Sequence, residues 1–174
     1  MHLVLRFLPK SIALILVVCL VSVLVSCSQD KKETLKVGDS APDFSVRDLE
    51  GNVFTLSDFE GLPIVMRFFL TDCKFCRADT PMFNEYYTRY GDKHLRLIYV
   101  DSLGLDRNTL EAFKEEFKIS FPVARDEGGT VAARYKVKAL PQTVILDPQH
   151  KIIAAILGSS SEEEFQEILS PYLP

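Results

Sequence analysis

Residues 64–81 read IVMRFFLTDCKFCRADTP. The apolar residues Ile64-Val65-Met66 and Phe68-Phe69-Leu70 make a run of strand length that stops at the turn residues Thr71-Asp72. That pattern predicts a buried β-strand. Cys73-Lys74-Phe75-Cys76 follows at once, at the head of a helix-compatible segment. Two cysteines three positions apart at a helix start can meet in one disulfide. The first lies where unpaired N–H groups and the helix dipole favour a thiolate, and Lys74 adds a positive charge beside it. The spacing points to redox chemistry. A zinc site would need two further ligands. Downstream only His94 and His150 could join the pair, far apart and without a second pair of cysteines. A purely structural disulfide closing so short a loop would remove little entropy from the unfolded chain.

The start of the chain reads as an address. Arg6 and Lys10 precede an apolar run from Ile12 to Val25, short for a spanning helix and flanked as a secretory signal is. Leu24-Val25-Ser26-Cys27 resembles the bacterial lipoprotein box. That resemblance implies cleavage before Cys27 and lipidation of its thiol; a cleaved signal without lipid and an uncleaved membrane anchor are the alternatives. The expected division is a signal peptide over 1–26, a polar tether over 27–36 and one domain over 37–174. Cys19 would leave with the signal and Cys27 would carry lipid, so Cys73 and Cys76 form the one remaining pair. Export brings that pair to an oxidising compartment. There a dithiol either passes on oxidising equivalents or is kept reduced by another protein. A net charge of −4 argues against nucleic acid as a partner.

The rest of the chain reads as alternating elements. Ser45–Leu49 and Val53–Leu56 flank the turn Glu50-Gly51-Asn52 and predict a hairpin. A short helical turn is expected over Ser57–Phe59. A long helix is expected over Cys73–Tyr90, kinked at Pro81 and ended by Gly91-Asp92. Arg96–Val100 predicts a strand, and Thr109–Phe117 a helix with Asn108 as N-cap and Glu111 completing a capping box. Ser120–Val123 is extended, as a short strand or a loop, and Thr130–Tyr135 forms a short helix. Val144–Asp147 and Ile152–Leu157 make a terminal hairpin about Pro148–Lys151. Ser160 or Ser161 caps a last helix, Glu162–Ser170. Parallel βαβ units feeding an antiparallel hairpin predict an α/β fold, a mixed sheet flanked by helices.

Taken together, Ala41-Pro42-Asp43-Phe44, Leu56-Ser57-Asp58-Phe59, the Cys73–Cys76 pair after a strand, and Leu140-Pro141-Gln142-Thr143 make the chain resemble the thioredoxin superfamily over nearly all of 35–173. Within it the chain is similar to exported, membrane-tethered thiol–disulfide oxidoreductases of the TlpA/ResA-like kind. These carry an AhpC/TSA-type redoxin domain and include the cytochrome c maturation reductases. The resemblance implies a thioredoxin-like fold with an added N-terminal β-hairpin. It implies Cys73 as nucleophile, Cys76 as resolving thiol, and a cis Pro141 packed against the dithiol. Leu140, Lys74 and Phe75 would then meet the substrate. Expected partners are disulfide-bearing exported proteins, apocytochrome c among them, and an upstream membrane thiol donor. The expected state is a lipid-anchored monomer facing the periplasm or the exterior, with no cofactor.

The departures from the family pattern lie at the site itself. Asp72 stands where Trp is common, and its carboxylate opposes a thiolate at Cys73 while Lys74 favours one. Asp79 takes the place of a buried glutamate found in the cytochrome maturation group. It reads either as an acceptor for the Cys76 proton or as a solvated carboxylate of the first helical turns. A thiol peroxidase is one alternative, since Ala-Pro-Asp-Phe also opens peroxiredoxins; there, however, Thr lies three residues before the cysteine, and Thr71 is only two before Cys73. A copper-delivery lipoprotein would use C-x-x-x-C and a distant histidine, and His150 falls in a hairpin turn. A binding domain with a structural disulfide is the nonenzymatic alternative.

Overall fold

A strand with no polar face has its place in the middle of a sheet. In the computed structural model, which describes residues 35–174, Ile64, Val65, Met66, Phe68 and Phe69 are all closed to solvent. The expected signal peptide, the lipidation site Cys27 and the tether up to residue 34 lie outside the described residues. Among those described, the elements run β1 (Ser45–Asp48), β2 (Val53–Thr55), β3 (Ile64–Phe69), α1 (Lys74–His94), β4 (Arg96–Asp101), α2 (Arg107–Glu116), β5 (Val123–Arg125), α3 (Thr130–Arg134), β6 (Gln142–Leu146), β7 (Ile152–Leu157) and α4 (Glu162–Leu169).

The seven strands form one mixed sheet in the order β2-β1-β5-β4-β3-β6-β7. β3 is parallel to β4 and antiparallel to β6, and β4 is parallel to β5. The added hairpin β1–β2 joins through β5, where Arg47 stands opposite Arg125. Side chains alternate along β3. Val65 and Phe69 enter a core with Phe83, Tyr99, Phe113 and Phe165, under α1, α2 and α4. Ile64, Met66 and Phe68 enter a second core with Phe44, Val131 and Tyr135, under α3 and the segment before the hairpin. Each fully buried side chain of this size contributes about 1.5–3 kcal/mol, so the two clusters hold β3 from both faces.

Several boundaries differ from those expected. The N-cap of α2 is Asp106, not Asn108: its carboxylate accepts from the Thr109 N–H at 3.0 Å. Glu111 pairs with Arg107 one turn back at 2.6 Å and makes no capping box. In α1 the helical angles break at Gly91 (φ 31°, ψ −161°), where the end was expected, and a further short piece carries the element to His94; Pro81 lies within the helix. Strand β6 starts two residues earlier than expected, at Gln142, because it pairs with β3 from Phe68 onward. The Ser120–Val123 segment leads into β5, and Ser161, not Ser160, caps α4 by accepting from the Glu164 N–H at 3.1 Å.

Candidate active site

The site forms where β3 ends and α1 begins. Cys73 is the N-cap residue of α1 with extended backbone angles (φ −74°, ψ 121°), and its carbonyl accepts from the Arg77 N–H at 3.0 Å. The sulfur therefore sits at the positive end of a long helix. The Arg77 guanidinium reaches back to the Thr71 carbonyl at 3.0 Å and also pairs with Glu116 of α2. These bonds pin the turn that carries Cys73.

The two thiols, both free in this structure, stand in different surroundings. Cys73 is partly exposed and Cys76 fully buried. The Leu70 N–H points at the Cys76 sulfur at 3.5 Å, and the Thr80 hydroxyl donates to the Cys76 carbonyl at 2.7 Å. Partial burial opposes a thiolate at Cys73. The N–H and thiol of Cys76, the N–H of Phe75 and the charge of Arg67 outweigh it and hold Cys73 below the ordinary thiol range. Burial pushes Cys76 up to about 12, against the weaker pull of the Leu70 N–H. One sulfur is thus poised to ionise, and the other keeps its proton.

The Leu140–Pro141 peptide bond is cis and Pro141 is buried. Phe68 faces Gln142 across the antiparallel β3–β6 ladder, which brings Pro141 to the rim of the sheet that carries Cys73. Lys74 and Phe75 are exposed, with the Lys74 ammonium 4.9 Å from the centre of the Phe75 ring. Asp72 is exposed as well, whereas Leu140 is half-buried against the second core. His150 belongs to the opposite rim, beyond Leu146, which faces Ile64. The length of β6, about 17 Å, separates it from the dithiol, so it cannot join the sulfurs around one metal ion. Among the described residues no group of three or more His, Cys, Asp or Glu side chains could hold a metal, and no helix is long and apolar enough to cross a membrane.

Asp79 is not the solvated carboxylate that was one reading of its position. It is buried, and its oxygens accept from Arg67 at 2.5 Å, from the Ser159 hydroxyl and from the Ser160 N–H at 3.3 Å. Three of the residues gathered here carry little or no signal of this role in the sequence. Arg67 left a trace, as the one charged residue within the Ile64–Phe69 strand. Ser159 and Ser160 left none as partners of Asp79, being two of three consecutive serines after Gly158, the second of them a possible cap of the last helix.

A thiolate-favouring cysteine and a buried thiol at a strand-to-helix turn, with a cis proline on the same rim, define a thioredoxin-fold thiol–disulfide oxidoreductase. The chain belongs to the AhpC/TSA family, whose pattern matches residues 37–155. It is 35% identical over 144 residues to the thiol-disulfide oxidoreductase ResA of Bacillus thuringiensis subsp. konkukian, covering 83% of each chain. To the protein of the same name from Oceanobacillus iheyensis it is 30% identical over 169 residues, covering 95% of this chain and 88% of the relative. Among solved structures, a candidate thiol:disulfide interchange protein DsbE from Chlorobium tepidum superposes with a TM-score of 0.73 at 26% identity, over 81% of this chain and 100% of that one. The fold is thioredoxin-like and the activity is thiol–disulfide oxidoreduction; the peroxidase alternative has less support from these relatives.

Proposed function

We propose that the protein reduces disulfides in exported partner proteins, with Cys73 as nucleophile and Cys76 as resolving thiol. The observation that carries this reading is the asymmetry of the pair, one sulfur exposed and thiolate-favouring, the other buried and protonated. The Cys73 thiolate attacks one sulfur of the partner's disulfide and expels the other as a thiolate, which takes a proton from solvent. The resulting mixed disulfide is then attacked by Cys76 at the Cys73 sulfur. Its proton passes to the departing partner sulfur, and the Cys73–Cys76 disulfide remains. Two electrons have left the enzyme, so a thiol donor must return two. Asp79 accepts from Arg67 and Ser159, so it ties the dithiol helix to the Ser159–Ser160 segment, and three residues past Cys76 it is the candidate acceptor for the Cys76 proton on that passage.

The rim around Cys73 favours a protein as substrate. Phe75, Leu103 and Leu157 are large apolar side chains left exposed. Leu103 follows the end of β4, and Leu157 faces Gln142 beside Pro141, so all three lie at the rim of the sheet on which the dithiol stands. An extended segment with apolar residues around its disulfide fits such a rim, and an unfolded apocytochrome c is one candidate of that kind. The apolar run Ile12–Val25 before Cys27 supports a lipid-anchored enzyme outside the cytoplasm, supplied with electrons by a membrane thiol carrier.

The test is covalent trapping. A Cys76→Ser protein should accumulate mixed disulfides with partners through Cys73, released by reductant, whereas a Cys73→Ser protein should trap none. Trapping that depends on Cys76 would overturn the assignment of roles.

A further inference from the structure

Position 67 lies inside β3, a strand buried along its whole length, and it holds an arginine. Arg67 is fully buried, flanked in the sheet by Tyr99 of β4 and Thr143 of β6. Its guanidinium donates to the Thr143 hydroxyl at 2.6 Å and to Asp79 at 2.5 Å, and lies 4.9 Å from the centre of the Phe83 ring. Its Nε has no hydrogen-bond partner among the described residues. Burying a charged pair is costly, and apolar residues of similar volume commonly serve stability as well or better. A donor left unpaired adds to that cost. The arrangement asks for a role beyond packing.

The contacts of Arg67 indicate that role. Thr143 lies two residues past Pro141, and Asp79 three residues past Cys76. One guanidinium therefore joins, from beneath, the strand that follows the cis proline and the helix that carries the dithiol. Asp79 extends the tie to Ser159 and Ser160, while the Gly158 N–H donates to the Pro141 carbonyl at 2.8 Å. The cation is also close enough to act on the sulfurs, drawing both Cys73 and Cys76 toward the thiolate.

We propose that Arg67 is a positioning residue for the dithiol: it brackets the start of α1 to the strand after Pro141, and its buried charge stabilises the anionic, reduced form of the pair. The charge makes the dithiol a weaker reductant than the same pair over an uncharged residue, because whatever stabilises the thiolate favours reduced enzyme. Asp79 moderates the effect by partly offsetting the cation. This inference rests on the dithiol reading above.

The experiment measures the pH profile of Cys73 alkylation and the equilibrium of the pair with a glutathione buffer. It compares the unaltered protein, Asp79→Asn, Arg67→Lys, and the double variant Arg67→Met with Asp79→Asn. The double variant removes both charges, so neither is stranded in the core. Asp79→Asn leaves the cation less opposed, so Cys73 should alkylate faster at pH 7 and the pair should be more readily reduced. The double variant should alkylate about threefold to tenfold more slowly than the unaltered protein and hold more disulfide in the same buffer. Arg67→Lys should stay nearer the unaltered protein than the double variant does. Shifts of the same sign in Asp79→Asn and the double variant, or no shift in either, would overturn the proposal. If the double variant does not fold, Asp79→Asn decides by itself, and unchanged or slower alkylation counts against the proposal. An unaltered protein with no exchangeable dithiol would instead sink the oxidoreductase reading.

Discussion

The N–H of Gly158 donates to the carbonyl of Pro141 at 2.8 Å, so the residue just after β7 holds the residue just before β6. The two residues that follow, Ser159 and Ser160, close on the carboxylate of Asp79. Three segments distant in sequence meet there: the dithiol helix, the cis-proline strand and the exit from the last strand. Short-range rules describe each of them alone, and only the folded chain joins them.

Gly158 has φ +90°, a conformation that costs a side chain energy even where space is open, and nothing stands within 4 Å of a Cβ built there. Gly158→Ala should therefore lose about 1–2 kcal/mol from backbone strain alone. Urea denaturation should show a lower midpoint with an unchanged slope. A midpoint equal to that of the unaltered protein would mean that the turn relaxes freely.

The two thiols should separate by pH. Cys73 lies below the ordinary thiol range, so its alkylation should reach half-maximal rate at a lower pH than that of a free cysteine. Cys76, pushed up to about 12 and closed to solvent, should stay unlabelled at pH 8 in folded, reduced protein and label fully in denaturant. Peptide mapping after a timed pulse of iodoacetamide reads both.

The stability of the reduced protein should fall above pH 9. An unfolded Cys76 ionises near the ordinary thiol value of 9.0, while the folded one keeps its proton up to about 12. Over that window the unfolded state binds fewer protons, so stability declines as pH rises. The opposite shift at Cys73 contributes stability that is fully present above the unfolded thiol value and is lost as pH falls through its lowered folded value. It therefore leaves the upper window flat. Between pH 9 and 11 the reduced form should lose about 2 kcal/mol more than the disulfide form, in which neither sulfur titrates. Paired denaturation curves with and without reductant measure the difference, and the tyrosines cancel in the comparison.

Asp126 is buried, and its carboxylate accepts from the N–H groups of Val131 and Ala132 at 3.0 and 2.8 Å and from the Thr130 hydroxyl at 3.2 Å. It satisfies the start of α3, which no side chain of the N-cap residue Gly129 can do. Asp126→Ala should cost about 1–3 kcal/mol. Asp126→Asn should cost less, since one oxygen still accepts. Thermal unfolding of the two variants ranks them.

Most of this protein's architecture follows from local rules acting on residues near one another in the chain. The apolar run at 64–69 had to be buried on both faces, Gly and Pro marked the turns, and helical spacing placed Phe83, Tyr86, Phe113 and Phe165 inward. The spacing of Cys73 and Cys76 likewise located the chemistry, since a strand ending in a C-x-x-C helix start puts two sulfurs within one turn. The exact cap of α2 escaped because Asp106 and Asn108 are both good caps and only the folded loop selects between them.

What the tertiary structure alone decided is the electrostatic setting of the dithiol. Whether Asp79 faces water or a guanidinium depends on α1 lying over β3. Whether Ser159 and Ser160 matter depends on β7 ending beside that helix. Buried charges take their meaning from neighbours tens of residues away, because only packing removes the water that would otherwise screen them. Periodicity reports which side of an element turns inward, and the fold determines which groups meet there.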